Sequence, residues 1–392
     1  MTSPGNKATS YDCFAVTAPG LEPLAARELR ALGARRVRPE PGGVAFTADA
    51  ARLIAANLRL RTASRVIVRL AEFPAQAFHE LERRARQVPW ERVVAPGRAV
   101  RVRVTCRKSR LYHSDAVAER VLAAVERRVP GAVVADAADD ADAADDGGLE
   151  GEGEQLLVVR LLHDRCLVSA DSSGALLHRR GYRQAVAKAP LRETLAAAML
   201  LGAGWDPAAP LLDPMCGSGT IAIEGAMLAR GIAPGLGRAF AMEDWPEVDR
   251  GVAPVERDRA ASEVRPAAPA PIVAADRDAG AVAAAVANAE RAGVAADVAV
   301  VHRPLSATEP PDGHGRGWLV TNPPYGARIG ERDRLRDLYA RLGQVARTRL
   351  PGWTVALLSA DPALEAQVGL ELRERLHTRN GGLPVRLVVG HG

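Results

Sequence analysis

Cysteine is scarce and scattered. Cys13, Cys106, Cys166 and Cys216 are the four in 392 residues, and none stands in a C-x-x-C pair. That spacing indicates neither a zinc site nor a disulfide framework, and reads as reduced thiols in a cytoplasmic protein. Long apolar runs are lacking too. The first thirty residues hold no apolar h-region and no stretch approaches about 18 apolar residues, so neither a signal peptide nor a membrane span is predicted. Lysine is nearly missing, and the positive charge is almost all arginine.

What is present is globular material: 47% hydrophobic residues, ample for buried cores, and 25% charged ones. The length suggests two or three domains. Net charge is +5 but unevenly spread. Residues 136–154 hold nine acidic side chains and no basic one, so the rest of the chain carries +14. This Ala-, Asp- and Gly-rich stretch has no large apolar residue before Leu149 and cannot bury enough surface to order itself. It reads as a flexible loop without chemistry. A body that basic suits a nucleic-acid partner, although a compositional preference for arginine gives the same balance.

Along the chain, a strand at Tyr11–Thr17, a helix at Leu21–Leu32 ended by Gly33, a hairpin around Val37 and Val44–Thr47, and a helix at Ala50–Leu58 predict a small α+β unit over residues 1–60. A second unit, 61–172, starts with a strand at Ser64–Leu70 and a helix at Phe78–Arg86. A strictly alternating strand, Ala99–Thr105, places Arg101 and Arg103 on one face. It feeds the basic loop Arg107-Lys108-Ser109-Arg110, with Tyr112 and His113 close behind. Ser114 is the expected N-cap of a helix to Arg128. Strand-face arginines leading into an aromatic-flanked basic loop suit a phosphate backbone; a solvated strand face is the plain alternative.

From residue 173 strands alternate with helices, which predicts an α/β, doubly wound parallel sheet. Its strands are 210–213, 272–275, 298–301, 318–320 and 353–358; its helices include 191–201, 221–229, 279–292 and 333–342. A hairpin across Asn380-Gly381 closes it, and 231–271 interrupt it as an insertion. Ligands of such sheets sit beyond the strands' carboxyl ends at a topological switch point. Three candidate segments fall at such ends: Asp213-Pro214-Met215-Cys216-Gly217-Ser218-Gly219-Thr220, then Asp276-Arg277, then Asn322-Pro323-Pro324-Tyr325-Gly326.

Gly217-x-Gly219-x-x-Ala222 fits a dinucleotide fingerprint. Asp213 argues against phosphate, since a carboxylate before the loop repels it and attracts an ammonium instead. S-adenosylmethionine has an amino-acid end and no phosphate. Its ribose needs acceptors, and Asp276 is the natural partner, with Asp278 better placed to cap the next helix. The Asn-Pro-Pro run stops a strand, because proline donates no ladder hydrogen bond and forces extended geometry before it. An ordinary turn would do the same. The chemical alternative is that the Asn322 side-chain oxygen and the Pro323 carbonyl take the two N–H bonds of an exocyclic amine while Tyr325 holds the base.

These motifs resemble the class I S-adenosylmethionine-dependent amino-methyltransferases, and more closely the bacterial RNA guanine-N2 methyltransferases with a THUMP domain. The resemblance runs nearly end to end. It includes Ala18-Pro-Gly-Leu-Glu22, Leu177-His-Arg-Arg-Gly-Tyr-Arg183, Ala189-Pro-Leu-Arg-Glu-Thr194 and Ala233-Pro-Gly-Leu-Gly-Arg-Ala-Phe240. It implies a ferredoxin-like domain (1–60), a THUMP domain for RNA (61–172) and a Rossmann-like catalytic domain (173–392). It also implies further contacts to S-adenosylmethionine, the expected cofactor, at Pro190 and Leu191; no metal is expected, and Arg101, Arg103, Arg107, Lys108 and Arg110 remain the candidate RNA contacts.

The Ala-Pro-Gly-Leu insertion favours 23S rRNA over tRNA, acted on by a monomer. Some relatives carry a second methyltransferase domain; with the chain ending at Gly392, one active site is expected. One departure is His302-Arg303-Pro304-Leu305, where the class has an acidic residue near the adenine. Competing readings are an adenine-N6 methyltransferase and an inert RNA-binding protein. Cytosine-C5 chemistry is disfavoured because Tyr325 stands where a nucleophilic cysteine would. An NAD enzyme is disfavoured by Asp213 and the Asn-Pro-Pro loop together.

Overall fold

A computed structural model describes residues 10–134, 153–184, 191–311, 313–325 and 332–392. The strongly acidic stretch thus lies almost wholly outside the described residues, as do Pro190 and Gly326.

The first half of the chain runs β1 (Tyr11–Thr17), α1 (Glu22–Ala31), β2 (Arg35–Glu40), β3 (Gly43–Ala48), α2 (Ala50–Arg59), β4 (Ala63–Pro74) and α3 (Phe78–Ala85). It continues with β5 (Ala99–Arg107), α4 (Ser114–Arg128), β6 (Val133–Val134), β7 (Glu154–Leu162) and β8 (Arg165–Asp171). Alternation in β5 works as its sequence demands: Val100, Val102 and Val104 are buried while Arg101 and Arg103 face outward. These strands make one eight-stranded sheet, ordered β2-β3-β1-β4-β8-β7-β5-β6. The twelve-residue β4, longer than the seven predicted, spans the middle and belongs to both halves of it.

Tertiary contacts gather Ala26–Leu177 and most of β1 with Arg238–Arg259, a segment of the insertion, into one compact unit. The insertion is anchored there by Trp245, whose buried indole donates to Gln155 Oε1 at 2.7 Å, and by an Arg92–Glu247 ion pair at 2.8 Å. A buried polar knot of Asn57, Ser172, Ser173, Arg65 and Asp171 satisfies its own donors and acceptors behind the sheet. Helix α4 begins one residue earlier than predicted. His113 occupies the cap position with extended backbone and no side-chain cap bond, while Ser114 turns toward Asp115.

The second unit holds Thr17–Ala25, His178–Gly237 and Ala260–Gly392. Its elements begin with α5 (Glu193–Ala203), β9 (Leu211–Asp213) and α6 (Thr220–Arg230). After α7 (Val252–Ser262) come β10 (Ile272–Asp276), α8 (Ala279–Arg291), β11 (Val298–His302) and β12 (Trp318–Thr321). The last are α9 (Arg332–Arg349), β13 (Thr354–Ser359), α10 (Pro362–Val368), β14 (Arg373–Asn380) and β15 (Leu383–His391). The sheet order is β11-β10-β9-β12-β13-β15-β14, parallel through β13, with β15 antiparallel between β13 and β14. Chain order therefore reverses between β9 and β12, the switch point.

Both sheet faces are covered, so the strands read as continuous apolar runs. Leu211, Ile272, Val320 and Leu358 pack with α5, α6 and α8, while Leu212, Leu319, Val355 and Leu357 pack with α9 and α10. Glu193 to Leu200 of α5 are all buried. Among the described residues no helix is long and apolar enough to cross a membrane.

Helix α9 does not stop at Leu342, as predicted, but continues through Gly343 to Arg349. That glycine is a packing requirement. A Cβ there would lie 1.7 Å from the Val368 carbonyl oxygen at the end of α10. Gly343→Ala is therefore expected to force the two helices apart and cost about 1–3 kcal/mol, lowering the melting temperature by roughly 2–10 °C. Calorimetry on purified protein checks this; an unchanged transition refutes the close contact.

Candidate active site

Three strand ends converge at the switch point, and one side chain joins two of them. Asp213, the last residue of β9, is 2% exposed. Its Oδ1 accepts from Thr321 Oγ1 at 2.8 Å and from the Met215 amide at 3.3 Å. Thr321 ends β12, so the same carboxylate fixes the start of the glycine loop and the residue preceding Asn322. Burial pushes the Asp213 carboxyl up to about 7. Its two hydrogen bonds oppose that shift, and the negative charge of Asp276 adds to it.

The glycine loop is held by backbone and side chain together. The Cys216 amide donates to the Ala275 carbonyl at 2.9 Å, the Gly217 amide to Asp276 Oδ2 at 3.0 Å, and the Gly219 amide to the Cys216 carbonyl at 2.8 Å. Gly217 and Gly219 have φ of +52° and +84°, which favours glycine. A Cβ on Gly219 would also meet Ala285 Cβ of α8 at 3.0 Å. Asn288, fully buried on α8, donates to the Ser218 carbonyl at 3.0 Å and accepts from Arg291. Arg291 in turn donates to the Tyr182 carbonyl at 2.7 Å.

This ties the loop to the strap 178–183. Tyr182 donates to Glu224 Oε1 at 3.0 Å, Arg180 pairs with Glu224 at 3.1 Å where neither side chain is exposed, and Arg183 pairs with Glu193 at 3.1 Å. Burial raises the Glu193 carboxyl to about 7 against the pull of Arg183.

Asp276 is half-buried at the end of β10. Its second oxygen accepts from the Asp278 amide at 3.0 Å, which orients the carboxylate and leaves lone pairs on both oxygens. Asp278, not Asp276, caps α8, accepting from the Gly280 and Ala281 amides at 2.7 and 3.1 Å. Arg277 is exposed, and its carbonyl meets His302 Nε2 at 2.9 Å. Arg303 donates its amide to the Asp276 carbonyl at 2.9 Å and lines a small crevice with Asp213, Pro214, Thr308 and Glu309. Pro214, Ser218 and Thr220 are buried in the loop, and Leu191 is buried in the core beside α5.

Beyond β12, Pro323 is buried, Pro324 exposed, and Asn322 and Tyr325 half-buried. Asn322 Oδ1 is a buried acceptor with no hydrogen-bond partner among the described residues. The Tyr325 hydroxyl accepts from Asn380 Nδ2 at 2.6 Å, so the β14–β15 hairpin fixes the ring's outer end while its body packs on the core. Asn288, Arg291 and Asn380 escaped the sequence reading: the first two sit in an Ala-rich helix, and Asn380 was read only as a turn residue.

The predicted RNA contacts lie in the first unit and divide into two kinds. Arg101 pairs with Glu154 on the sheet and is largely covered, and Arg103 is half-buried beside it. Arg107, the last residue of β5, and Lys108 and Arg110 on the loop beyond it are exposed. Among the described residues no three His, Cys, Asp or Glu side chains gather to hold a metal ion.

Sheet order, glycine loop and acceptor set define a Rossmann-like class I methyltransferase with S-adenosylmethionine as methyl donor. The site fits that molecule: a buried carboxylate for its ammonium, free lone pairs on Asp276 for its ribose, and a backbone open to close approach. The chain belongs to the RMKL-like methyltransferase family, whose domain model matches residues 180–388; an RlmL ferredoxin-like domain model matches residues 12–67.

A putative RNA methyltransferase of Synechocystis sp. is 35% identical over 97% of both chains. A ribosomal RNA large subunit methyltransferase K/L of Syntrophotalea carbinolica is 37% identical over 96% of this chain but 53% of its own length, so this chain spans about half of that relative. A crystal structure of a putative methyltransferase complexed with SAH, 30% identical, superposes with a TM-score of 0.86 over 98% of each chain.

Two outcomes test the site. Because the folded carboxyl of Asp213 titrates near 7 and the unfolded one near 4, the folded state holds an extra proton between those values, and stability from this group falls as pH rises through that window. Asn keeps the hydrogen-bond acceptor without the proton. The melting temperature of Asp213→Asn minus that of wild type is expected to rise between about pH 5 and about pH 8; a flat difference refutes the shift. Asp276→Ala is expected to weaken S-adenosylhomocysteine binding, followed by calorimetry, by roughly tenfold or more, and undiminished affinity removes the ribose assignment.

Proposed function

We propose that this protein transfers a methyl group from S-adenosylmethionine to the exocyclic N2 of a guanosine in RNA, and that the RNA is 23S rRNA. The observation that carries the reading is Asn322 Oδ1, a buried acceptor beyond the end of β12 with no partner among the described residues. A buried, unsatisfied acceptor is costly, by about 1–3 kcal/mol, and suits a site where a ligand supplies the donor. An exocyclic amine supplies two.

Bound S-adenosylmethionine supplies an electrophilic methyl group, and Asp213, Asp276 and the loop 214–220 would hold it. The rest is the work of this chain's residues on the base. Asn322 and the Pro323 carbonyl accept the two amine hydrogens, which localises a lone pair otherwise delocalised into the ring. Tyr325, with Asn380 fixing its hydroxyl, bears on the face of a base flipped from its helix. Acceleration comes mainly from orientation and exclusion of water. No strong base is required, since the nitrogen loses its proton readily once it bears positive charge.

The rRNA assignment is supported by the Ala233-Pro-Gly-Leu insertion and by the large-subunit relatives. In this reading residues 1–60 are the ferredoxin-like domain, 61–172 form a THUMP module contacting RNA through Arg107, Lys108 and Arg110, and 173–392 are catalytic. The enzyme works as a cytoplasmic monomer.

Asn322→Ala is expected to lower turnover roughly a hundredfold while S-adenosylhomocysteine affinity changes little; a matching loss of affinity would make the loop's role structural. Labelled S-adenosylmethionine with unmodified total RNA, fractionated and digested to nucleosides, identifies the product by mass spectrometry. N2-methylguanosine in 23S rRNA is expected. The same nucleoside in tRNA overturns the substrate, and methylated adenosine overturns the base.

A further inference from the structure

The corner where β5, the β7–β8 turn and the start of α4 meet is built unlike the rest of the first unit. Of five tryptophans, five tyrosines and five phenylalanines in the chain, Tyr112 alone is exposed, at 68%. The His113 ring lies beside it with centroids 4.1 Å apart, and His163 is exposed on the adjoining turn. Arg107, Lys108 and Arg110 are exposed there, and no carboxylate pairs with any of their side chains among the described residues. Several other arginines of this unit are paired with carboxylates, among them Arg65, Arg69, Arg92, Arg98, Arg101, Arg128 and Arg165.

The corner is also rigidly made. Four non-glycine residues among those described have φ in the left-handed region, and three of them, Lys108 at +49°, His163 at +49° and Asp164 at +61°, are here. The turn and the basic loop lock together: Asp164 Oδ1 accepts the Arg110 amide at 2.7 Å, Ser109 Oγ accepts the Asp164 amide at 3.1 Å, and the Arg107 carbonyl accepts the His163 amide at 3.3 Å. Asp164 Oδ1 is thereby occupied with backbone rather than with a cation. Unpaired cations, an unburied ring and uncommon backbone held in place by hydrogen bonds mark a surface prepared for a polyanion with exposed rings of its own.

We propose that Tyr112 and His113 form a stacking platform for an unpaired RNA base, a different base from the one methylated, with Arg107, Lys108 and Arg110 holding the flanking phosphates. The assignment rests on the RNA reading above and narrows it: the first unit selects RNA with a single-stranded segment, not a continuous duplex.

Fluorescence anisotropy on the full chain separates the two ideas, using a labelled RNA hairpin with a single-stranded tail and the same hairpin blunt-ended, over a salt series. Tyr112→Ala is expected to weaken the tailed RNA roughly tenfold, leave the blunt hairpin unchanged and keep the slope of affinity against salt. Tyr112→Phe retains the affinity. Lys108→Gln with Arg110→Gln weakens both RNAs and reduces the slope by about two. Equal binding of tailed RNA by wild type and Tyr112→Ala, or equal loss on both RNAs, overturns the platform and leaves the RNA reading standing. Wild-type protein that binds neither RNA overturns the RNA reading and the platform with it.

Discussion

The hydrogen bond from Thr321 Oγ1 to Asp213 Oδ1 crosses the point where strand order reverses, out of reach of water. At a doubly wound sheet's switch point the loops diverge to opposite sides, and that divergence opens a crevice. The ladder pairs Leu211 with Trp318 and Leu212 with Leu319 but does not reach the loops themselves. Asp213 does, with the glycine loop's Met215 amide and the last residue of β12 on a single oxygen. The position of the unpartnered Asn322 oxygen relative to the cofactor loop therefore depends on one buried carboxylate. Burial makes ionisation of that group unfavourable, and in the proposed reading the ammonium of S-adenosylmethionine would offset that cost.

Around this bond the supports are layered. The Gly217 amide on Asp276 joins the loop to β10, and Asn288 joins it to α8. Arg291 passes the restraint on to the Tyr182 carbonyl, and Tyr182 and Arg180 grip Glu224 on α6, the helix that the glycine loop begins. A buried ion pair contributes little net stability, because desolvation of both charges offsets their attraction. Removing one partner, however, costs about 3–5 kcal/mol. The Arg180–Glu224 pair therefore acts less as a source of stability than as a fastener: chain that leaves it strands a charge.

What the sequence made legible was its punctuation. Glycine at a strand's end, two successive prolines and a lone acid each have few conformational uses, and all three loops fell at the strand ends predicted for them. Asp276 and Asp278 could be told apart because only one stands where a cap must. Long-range partners were not legible. The continuation of α9 through Gly343 was not legible, since nothing local marks that glycine as making room for a crossing carbonyl. Asn288 and Asn380 gave no local signal, since an amide that bonds a carbonyl or hydroxyl dozens of residues away follows no periodicity. Alternation put Arg101 and Arg103 on one face, as found, but could not show that Glu154 closes over the first.

That last case bears on how charge should be read in a chain whose cations are nearly all arginine. Net charge alone does not distinguish a nucleic-acid surface from a compositional habit. Pairing does. An arginine bound to a carboxylate has most of its field cancelled at short range and is costly to recruit, since the acid it leaves must be resolvated. Several arginines of the first unit are of this kind, such as Arg92 with Glu247, Arg98 with Asp244 and Arg101 with Glu154. Among the described residues Arg107, Lys108 and Arg110 pair with no acid, and they stand beside Tyr112, the one exposed ring among the tryptophans, tyrosines and phenylalanines. On the RNA reading proposed above, contact with a polyanion rests on these three charges more than on the net +14 of the basic body.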